Sequence, residues 1–395
     1  MKRSSVQRTH STFKVALGVI ALYTIVYYVM LRKVSRGLHL GHKDKQAALK
    51  PNNAEDGIVD KVEVALTSSP GGGTYPRLTK LPDASILASF TRWQGKERVL
   101  RISRSTDGGR NFLFFGEVTR STGDLDNLFL LATAPSTVMA AFRNHDLAPD
   151  GSHSHFRITI CQSTDGGKGF TFLSQAAEKG APFGLWEPFP RIGAAGEVQL
   201  FYAQELAPDD QRIMRVDSHD QGKTWTNAQN IVVREDGTKL RDGMAGIAET
   251  KDDGGKQAAA ALVMILETTR YGTFSLEAVV SYDDGATWTQ RQEVYAPPTG
   301  HNAGAPQIAS FGDGSLAVVF MTDEDSKKVE WTKYSSIKVI FSRPPQNGKM
   351  VWSKPQLVSP ESSYWPGIMA LDENTALAVY DRGGPRGKKI LWNPK

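Results

Sequence analysis

The chain has 395 residues, 40% hydrophobic and 23% charged, a composition typical of a globular protein and unlike that of a disordered one. Its formal net charge of +5 is unevenly placed, because ten of the 47 Lys and Arg but only one of the 42 Asp and Glu lie in the first 50 residues. The rest of the chain carries 37 basic side chains against 41 acidic ones. This balance excludes the basic face that nucleic-acid binding requires.

The first predicted element is a run of 17 residues without a charge at positions 15–31, VALGVIALYTIVYYVML. As a helix it spans roughly 25 Å, enough to cross a thin bilayer. It lacks the small-residue cleavage site that follows a signal peptide, which favours an uncleaved transmembrane anchor. We expect residues 1–14 to be a short basic cytosolic tail and residues 32–60 a polar stalk.

Basic residues flank this hydrophobic run on both sides, so the charge rule for orientation is nearly balanced. We expect a single-pass type II protein. Its domain at 61–395 would then lie in a lumen or outside the cell. We expect this domain to be a monomer.

A short motif recurs four times after the stalk, at 105–112, 163–170, 218–225 and 281–288. All four copies read Ser-x-Asp-x-Gly-x-x-aromatic and follow a strand-like segment, which predicts a hairpin turn. There the aspartate bonds the local backbone, the glycine takes a positive φ and the aromatic ring packs on the sheet. The signature resembles the Asp-box of sialidase-like β-propellers and predicts a structural role for the four aspartates.

The motif aspartates are Asp107, Asp165, Asp220 and Asp283, so the copies recur at a nearly constant spacing. A fifth, degenerate copy without the aspartate lies at 342–352. One four-stranded blade per repeat divides residues 60–395 into about six blades. Further strands are predicted at ASILASF, EVQLFYAQ, SLAVVFMT and TALAVYD. The sequence therefore predicts an all-β, six-bladed propeller behind an N-terminal transmembrane helix.

Glu187 stands out within GLWEPFPRI, because a carboxylate among aromatic residues loses water and its pKa rises. Glycoside cleavage needs two such groups, a protonated acid and an ionised carboxylate. Glu267 is the leading second candidate, since it ends an apolar run that is typical of an inner strand. It follows Glu187 by more than one repeat of the motif, so we expect the two to meet across the channel mouth. The rival carboxylates are Glu205, Glu249 and Glu277.

Several stretches resemble the fungal exo-α-1,5-L-arabinanases of glycoside hydrolase family 93, which are six-bladed propellers. They are YPRLTKLPDASILASF (75–90), LLATAPSTVMAAFRNHD (130–146), GLWEPFPRI, RDGMAGIAE (241–249), NAGAPQIASFGDGSLAVVFMTDED (302–325) and YWPGIMALDENTALAVYDR (364–382). The resemblance implies a retaining glycosidase with Glu187 as general acid/base and Glu267 as nucleophile, although the two roles could be reversed. It also implies exo-acting cleavage of arabinan.

The resembling stretches also suggest substrate-binding residues, namely Arg77, Arg143, Asn144, His145, Trp186, Asn302, Tyr364 and Trp365. Trp186 could equally be a core residue, and structural roles are as plausible as binding for 143–145. The sequence predicts no cofactor and no metal site, since the eight histidines are scattered and HSH at 153–155 has no partner motif. The single cysteine, Cys161, excludes an intramolecular disulfide.

Two other functions remain open. A sialidase would need a cluster of arginines for the substrate carboxylate, of which only Arg77 can be placed from the sequence. A propeller that binds a glycan or a protein without cleaving it is favoured by the anchor, since wall-digesting enzymes rarely have one.

Overall fold

The computed structural model describes residues 57–68, 72–231, 234, 237–255 and 258–393. The predicted tail, the hydrophobic run at 15–31 and residues 32–56 of the stalk lie outside the described residues. Among the helices that are described, none is long and apolar enough to cross a membrane.

Within the described residues, twenty-four strands form six antiparallel four-stranded sheets, and one short helix interrupts them. In chain order the elements are β1 (Gly57–Ala65), β2 (Thr74–Lys80), β3 (Ile86–Gln94), β4 (Glu97–Ser105), β5 (Leu113–Ser121), β6 (Asp124–Ala134), β7 (Thr137–Leu147), β8 (His153–Ser163), β9 (Thr171–Gly180), β10 (Leu185–Ile192), β11 (Val198–Ala207), β12 (Asp210–Ser218), β13 (Gln229–Asn230), β14 (Gly243–Asp252), β15 (Ala259–Thr268), β16 (Ser275–Ser281), β17 (Thr289–Tyr295), β18 (Ala303–Ser310), β19 (Leu316–Thr322), α1 (Trp331–Tyr334), β20 (Ser336–Ser342), β21 (Gln356–Ser359), β22 (Tyr364–Asp372), β23 (Thr375–Asp381) and β24 (Pro385–Trp392).

Blades one to five each contain four consecutive strands, beginning at β2, β6, β10, β14 and β18. Blade six contains β22, β23 and β24, and the N-terminal β1 pairs with β24 as its outer strand. The first strand of every blade packs against the first strands of both neighbouring blades, so the six sheets close into a ring. The six-bladed propeller is therefore confirmed. Residues 57–60, assigned above to the stalk, belong to β1, because their backbone pairs with the last strand.

Apolar side chains fill the spaces between neighbouring blades. Between blades four and five, for example, Val263 and Ile265 of β15 pack in one cluster with Val318 and Phe320 of β19, all fully buried. Both faces of a central strand are covered in this way, which explains the nearly continuous hydrophobic runs of the second strands. The four strands predicted from those runs are confirmed as parts of β3, β11, β19 and β23.

The repeated motif closes the hairpin between the third and fourth strands of blades one to four, as predicted. In the second copy Asp165 Oδ1 accepts hydrogen bonds from the N–H groups of Lys168 and Gly169 at 3.0 and 3.1 Å. Gly167 has a φ of 95°, and its N–H donates to Ser163 Oγ. The degenerate copy at 342–352 occupies the equivalent place between β20 and β21.

Strand direction separates the two faces of the ring. Because neighbouring strands are antiparallel, first and third strands begin at the face where second strands end. The repeated turns follow third strands and lie on the opposite face. The face without these turns, called the mouth below, therefore collects the beginnings of β6 and β10 and the ends of β7, β11 and β15.

Candidate active site at the mouth of the channel

Each first strand begins at the mouth with a β-bulge, where the pairing register with the second strand shifts. One residue in each bulge is a non-glycine residue with a positive φ, between 40° and 55°. The six residues are Tyr75, Asn127, Glu187, Met244, Ala305 and Trp365. Since a β-bulge re-aims a side chain, these six form an equivalent ring around the channel.

Glu187 is the member of this ring in blade three, and its φ of 40° is the smallest of the six, just outside the usual left-handed region. Its bulge lies between Trp186 and Phe189 on β10. Because Pro188 has no N–H, the bulge leaves no backbone donor unpaired at this residue. Together with Arg77, Asn127, Met244 and Gln307, Glu187 lines a narrow cavity of about 10 Å³ to which blades one to five contribute.

Burial raises the pKa of Glu187 to about 8, and repulsion from the nearby Glu267 contributes to the rise. The positive charges of Arg143 and Arg241 act in the opposite direction. Near neutral pH this carboxyl group is therefore protonated, which a proton donor requires.

Glu267 ends β15, the second strand of blade four, and is 7% exposed. β15 lies between β14 and β16 in that blade, as an inner strand does, and β14 is the strand nearest the channel. Blades three and four are adjacent, so Glu187 and Glu267 meet between neighbouring blades and not across the mouth. The two glutamates are separated in sequence by more than the length of one blade and still lie on neighbouring blades. The reason is that Glu187 lies on a first strand and Glu267 at the end of a second strand.

The N–H of Ala305 donates a hydrogen bond of 2.8 Å to Glu267 Oε2. Burial raises the pKa of Glu267 to about 7, while this N–H and the charge of Arg241 oppose the rise. Glu267 thus ionises more readily than Glu187. The pKa of Glu187 thus lies above that of Glu267, which is the order that a retaining glycosidase needs between its acid/base and its nucleophile.

Arg241 is a residue of this site that sequence reasoning did not single out. It is 9% exposed, and its guanidinium donates to Glu205 Oε1 at 2.6 Å and to Gln211 Oε1 at 2.8 Å. Glu205 Oε2 accepts from the N–H of Gly184, just before β10. Glu205, a rival candidate for the second carboxylate, is therefore the ion-pair partner of Arg241 beside the two glutamates.

The other two rivals lie elsewhere. The Glu249 side chain is 77% exposed and pairs with Arg191, further along β14 from the mouth. Glu277 is buried and pairs with both Arg270 and Arg291, which neutralise it.

Aromatic residues form the wall of the mouth at blades six and one. Trp365 stacks on Tyr75 with ring centroids 4.4 Å apart, and Trp331 of α1 lies edge-on to Trp365 at 6.2 Å. A Cβ added at Gly304 would lie 2.7 Å from the Trp331 ring and 2.6 Å from Glu267 Oε2. Trp331 therefore covers the Glu267 side of the site, and Gly304 leaves room for both groups.

Arg77 is buried, and its guanidinium donates to the carbonyl oxygens of Pro76 and Pro366 at 2.8 and 2.9 Å. It also lines the cavity beside Glu187. Arg77 thus connects blade one to blade six by a hydrogen bond and also lines the candidate active site.

Arg143, His145 and Trp186 form a neighbouring cluster between blades two and three. Arg143 pairs with Asp124 at 3.1 Å and with Asp126 at 3.5 Å, and its guanidinium lies 5.3 Å from the centre of the Trp186 ring. His145 is 1% exposed and lies edge-on to Trp186 at 5.2 Å.

The remaining candidates make contacts with the protein itself. Asn144 donates to Thr159 Oγ1 at 3.3 Å. Asn302 Oδ1 accepts from the N–H of Phe274, and the Tyr364 hydroxyl donates to the carbonyl of Lys333. Of the ten candidate residues, Glu187 and Arg77 line the cavity. Glu267 and Trp365 contact the residues Ala305 and Tyr75 of the ring of bulges. Arg143, His145 and Trp186 form the neighbouring cluster.

A proline marks most of these bulges in the sequence. Proline follows the positive-φ residue in four of the six blades, at 76, 188, 306 and 366. These positions are one or two blade lengths apart, so the dipeptides YP, EP, AP and WP mark equivalent places. Arg241 and Trp331 carry no comparable signal.

Comparison with known proteins finds the same architecture in solved structures. The chain is similar to the Penicillium chrysogenum α-L-arabinanase complexed with arabinobiose, with 16% identity over 85% of this chain and 98% of that one and a TM-score of 0.61. It is also similar to the GH93 α-L-arabinofuranosidase of Fusarium graminearum, with 16% identity, 84% and 97% coverage and a TM-score of 0.63.

The NanB sialidase of Streptococcus pneumoniae is more distant, with 11% identity over 82% of this chain and 68% of that one and a TM-score of 0.54. This chain has the fold of the sialidase-like six-bladed propellers. No protein-family model and no curated protein sequence matches it. The fold implied by the resemblance to family 93 is thus confirmed.

Proposed function

We propose that this propeller is a retaining glycoside hydrolase, exo-acting on α-1,5-linked L-arabinofuranosides. The observation that supports it most directly is the pair of glutamates on adjacent blades at the mouth, of which Glu267 is buried and Glu187 partly buried. Desolvation and mutual repulsion keep Glu187 protonated, while the Ala305 N–H and Arg241 favour the anion of Glu267. The arabinanase folds described above point to the same substrate class.

In the proposed mechanism the sugar lies at the mouth, because the cavity below it has room for about one water. Glu267 attacks the anomeric carbon while Glu187 donates its proton to the departing glycosidic oxygen. A water molecule, deprotonated by Glu187, then cleaves the glycosyl-enzyme bond and releases the sugar with retained configuration. The aromatic wall at Trp331 and Trp365 offers apolar faces to the sugar ring.

The arginines at the mouth support an arabinoside over a sialoside. Arg77 donates to backbone carbonyls, Arg143 pairs with two aspartates, and Arg241 pairs with Glu205. A sialidase would direct several guanidinium groups to the substrate carboxylate, whereas these three are paired with groups of the protein.

The decisive experiment incubates the purified full-length chain separately with linear α-1,5-arabinan and with a sialyl oligosaccharide. We expect arabinose or short arabino-oligosaccharides from arabinan, NMR of the first product showing retained anomeric configuration, and no release of sialic acid. Glu187→Gln should abolish release, whereas Glu249→Gln, an exposed glutamate of the next blade, should leave it intact. Binding of arabinan without any product would support a non-catalytic propeller, and sialic acid release would overturn the substrate assignment.

We further propose that the uncharged run at 15–31 anchors the chain as a single-pass type II protein with a monomeric lumenal or extracellular propeller. Carbonate extraction of membranes should leave the chain in the pellet, and the propeller should resist protease in sealed microsomes. Digestion of the propeller without detergent would contradict this orientation.

A further inference from the structure

A compact group of metal-ligand side chains lies beside the glutamate pair, where blade two opens to the mouth. Asp124 begins β6, His145 lies near the end of β7 and His153 begins β8. One possible ligand atom from each lies within 4.8 Å of the other two. The sequence predicted no metal site because His153 had no partner motif, and the fold supplies two partners from other strands.

Within this cluster, the imidazole of His145 is buried without a hydrogen-bond partner among the described residues. The residue is 1% exposed, yet neither ring nitrogen makes a hydrogen bond to any part of the chain that the structure describes. Nδ1 lies 3.7 Å from Asp124 Oδ2, beyond hydrogen-bond distance. A buried polar group without a partner is destabilising, and a ligand to Nδ1 would remove this cost at that nitrogen.

The two oxygens of Asp124 face different groups. Oδ1 is bound by the guanidinium groups of Arg98 and Arg143, which hold the carboxylate in place. Oδ2 faces the two histidines, 2.8 Å from His153 Nε2 and 3.7 Å from His145 Nδ1. Ligand atoms around a tetrahedral zinc ion are about 3.3 Å apart, so the two distances from Asp124 Oδ2 would each change by about half an ångström, and the ligand nitrogens of the two histidines, within 4.8 Å of each other, would approach by up to about 1.5 Å.

We propose that Asp124 Oδ2, His145 Nδ1 and His153 Nε2 bind a divalent transition-metal cation, with Zn²⁺ as the preferred ion. Two imidazoles and one carboxylate suit zinc better than the oxygen-seeking Mg²⁺ or Ca²⁺. Arg98 and Arg143 already balance the charges of Asp124 and Asp126. Binding is therefore weaker than at a site whose carboxylate has no cationic neighbour.

The ion would clamp the mouth ends of three strands of blade two. His145 and His153 both contact Trp186, at centroid distances of 5.2 and 6.0 Å, and Trp186 precedes Glu187. The site thus supports the wall behind Glu187 without touching the reacting atoms. It does not depend on which substrate the propeller cleaves.

The test uses the full-length chain without a polyhistidine tag, stripped of metal with EDTA and titrated with Zn²⁺ in a calorimeter. We expect one ion per chain and a rise in Tm of several degrees with saturating Zn²⁺, but no rise with Mg²⁺ or Ca²⁺. Co²⁺ should produce visible absorption bands typical of histidine coordination.

His153→Ala should weaken Zn²⁺ binding at least tenfold and remove the Tm rise. His155→Ala is the matched control, because His155 lies two residues away on the same strand and pairs with Glu178 at 3.4 Å. It should bind Zn²⁺ like the wild type. If His153→Ala fails to fold, His153→Gln replaces it. Absence of stoichiometric binding by the wild type, or equal binding by the His153 variant, would overturn the proposal.

Discussion

The two faces of this propeller use the same backbone device, a positive φ, in different ways. On the face of the repeated turns a positive φ between 80° and 95° falls on the motif glycine in four blades, and the residue before each of these glycines also has a positive φ. At the mouth it falls on six non-glycine residues of different chemistry, in a narrow φ range of 40° to 55°. One face repeats in sequence and in structure, whereas the other repeats in structure alone.

The difference lies in where the stabilising contacts come from. In the turns a serine and an aspartate of the motif bond nearby N–H groups of the same turn, so the motif itself stabilises the conformation. A non-glycine residue at positive φ costs about 1–3 kcal/mol and persists only where the surrounding structure holds it. At the mouth the neighbouring blades hold it. The side chains of the ring are thus free to differ, and blade three can present a glutamate.

The largest expected effect is a loss of kcat on substitution at the mouth but not in the repeated turns. Glu187→Gln should lower kcat by roughly 10²–10⁴, because the proton donor is lost while the side-chain shape is kept. Asp165→Asn, in a repeated turn on the opposite face, should leave kcat within about twofold. Steady-state kinetics on arabinan oligosaccharides measures both. Comparable losses of kcat in the two variants would contradict the division between the faces.

A pair of glycine substitutions gives the next largest effect. Gly304→Ala should lower kcat at least about tenfold, since its Cβ would lie 2.6 Å from Glu267 Oε2. Gly285→Ala, in a repeated turn with φ of 82°, should lower the free energy of unfolding by about 1–2 kcal/mol and leave kcat unchanged. Denaturant unfolding and kinetics separate the two effects. An active Gly304 variant would show that Glu267 can move without loss of function.

A smaller effect concerns the shape of the pH profile. If Glu267 must be ionised and Glu187 protonated, kcat/KM should fall below pH about 7 and above pH about 8. The double variant Arg241→Gln with Glu205→Gln replaces this ion pair by two neutral side chains and should move the acid limb to higher pH, because the charge of Arg241 lowers the pKa of Glu267.

Glu205→Gln alone is the control for this profile. Glu205 raises the pKa of Glu187 by repulsion, so its removal should move the alkaline limb downward. The acid limb should stay in place, because Glu205 does not contribute to the shift of Glu267. An acid limb that does not respond to the double variant would mean that another group controls it.

A last prediction concerns stability against pH. The pKa of Glu187 is raised on folding from 4.5 to about 8, so its stabilising contribution is full below pH 4.5 and is lost as pH rises through 8. Glu187→Gln, neutral at every pH, should therefore be more stable than the wild type at pH 9, by on the order of 1–3 kcal/mol. At pH 5 the two should unfold alike in thermal melts. Equal stability at pH 9 would show that Glu187 ionises without cost.

Much of the fold followed from local patterns. The motif spacing predicted six blades, and the hydrophobic runs predicted β3, β11, β19 and β23, because turn chemistry and burial act over a few residues. Glu187 stood out because a lone carboxylate among aromatic residues is a local feature as well. The closure of blade six by β1 joins the two ends of the described chain, and no local sequence pattern predicts this pairing.

The sequence by itself determined the blade count, the turns and Glu187 as a candidate acid, because each of these depends on residues that are close together in the chain. Only the tertiary structure decided that Glu267 belongs to the adjacent blade, that Arg241 pairs with Glu205 and acts on Glu267, and that Asp124, His145 and His153 converge. These groups are brought together by ring closure and strand direction. Their electrostatic coupling depends on distances between blades, which the local sequence does not specify.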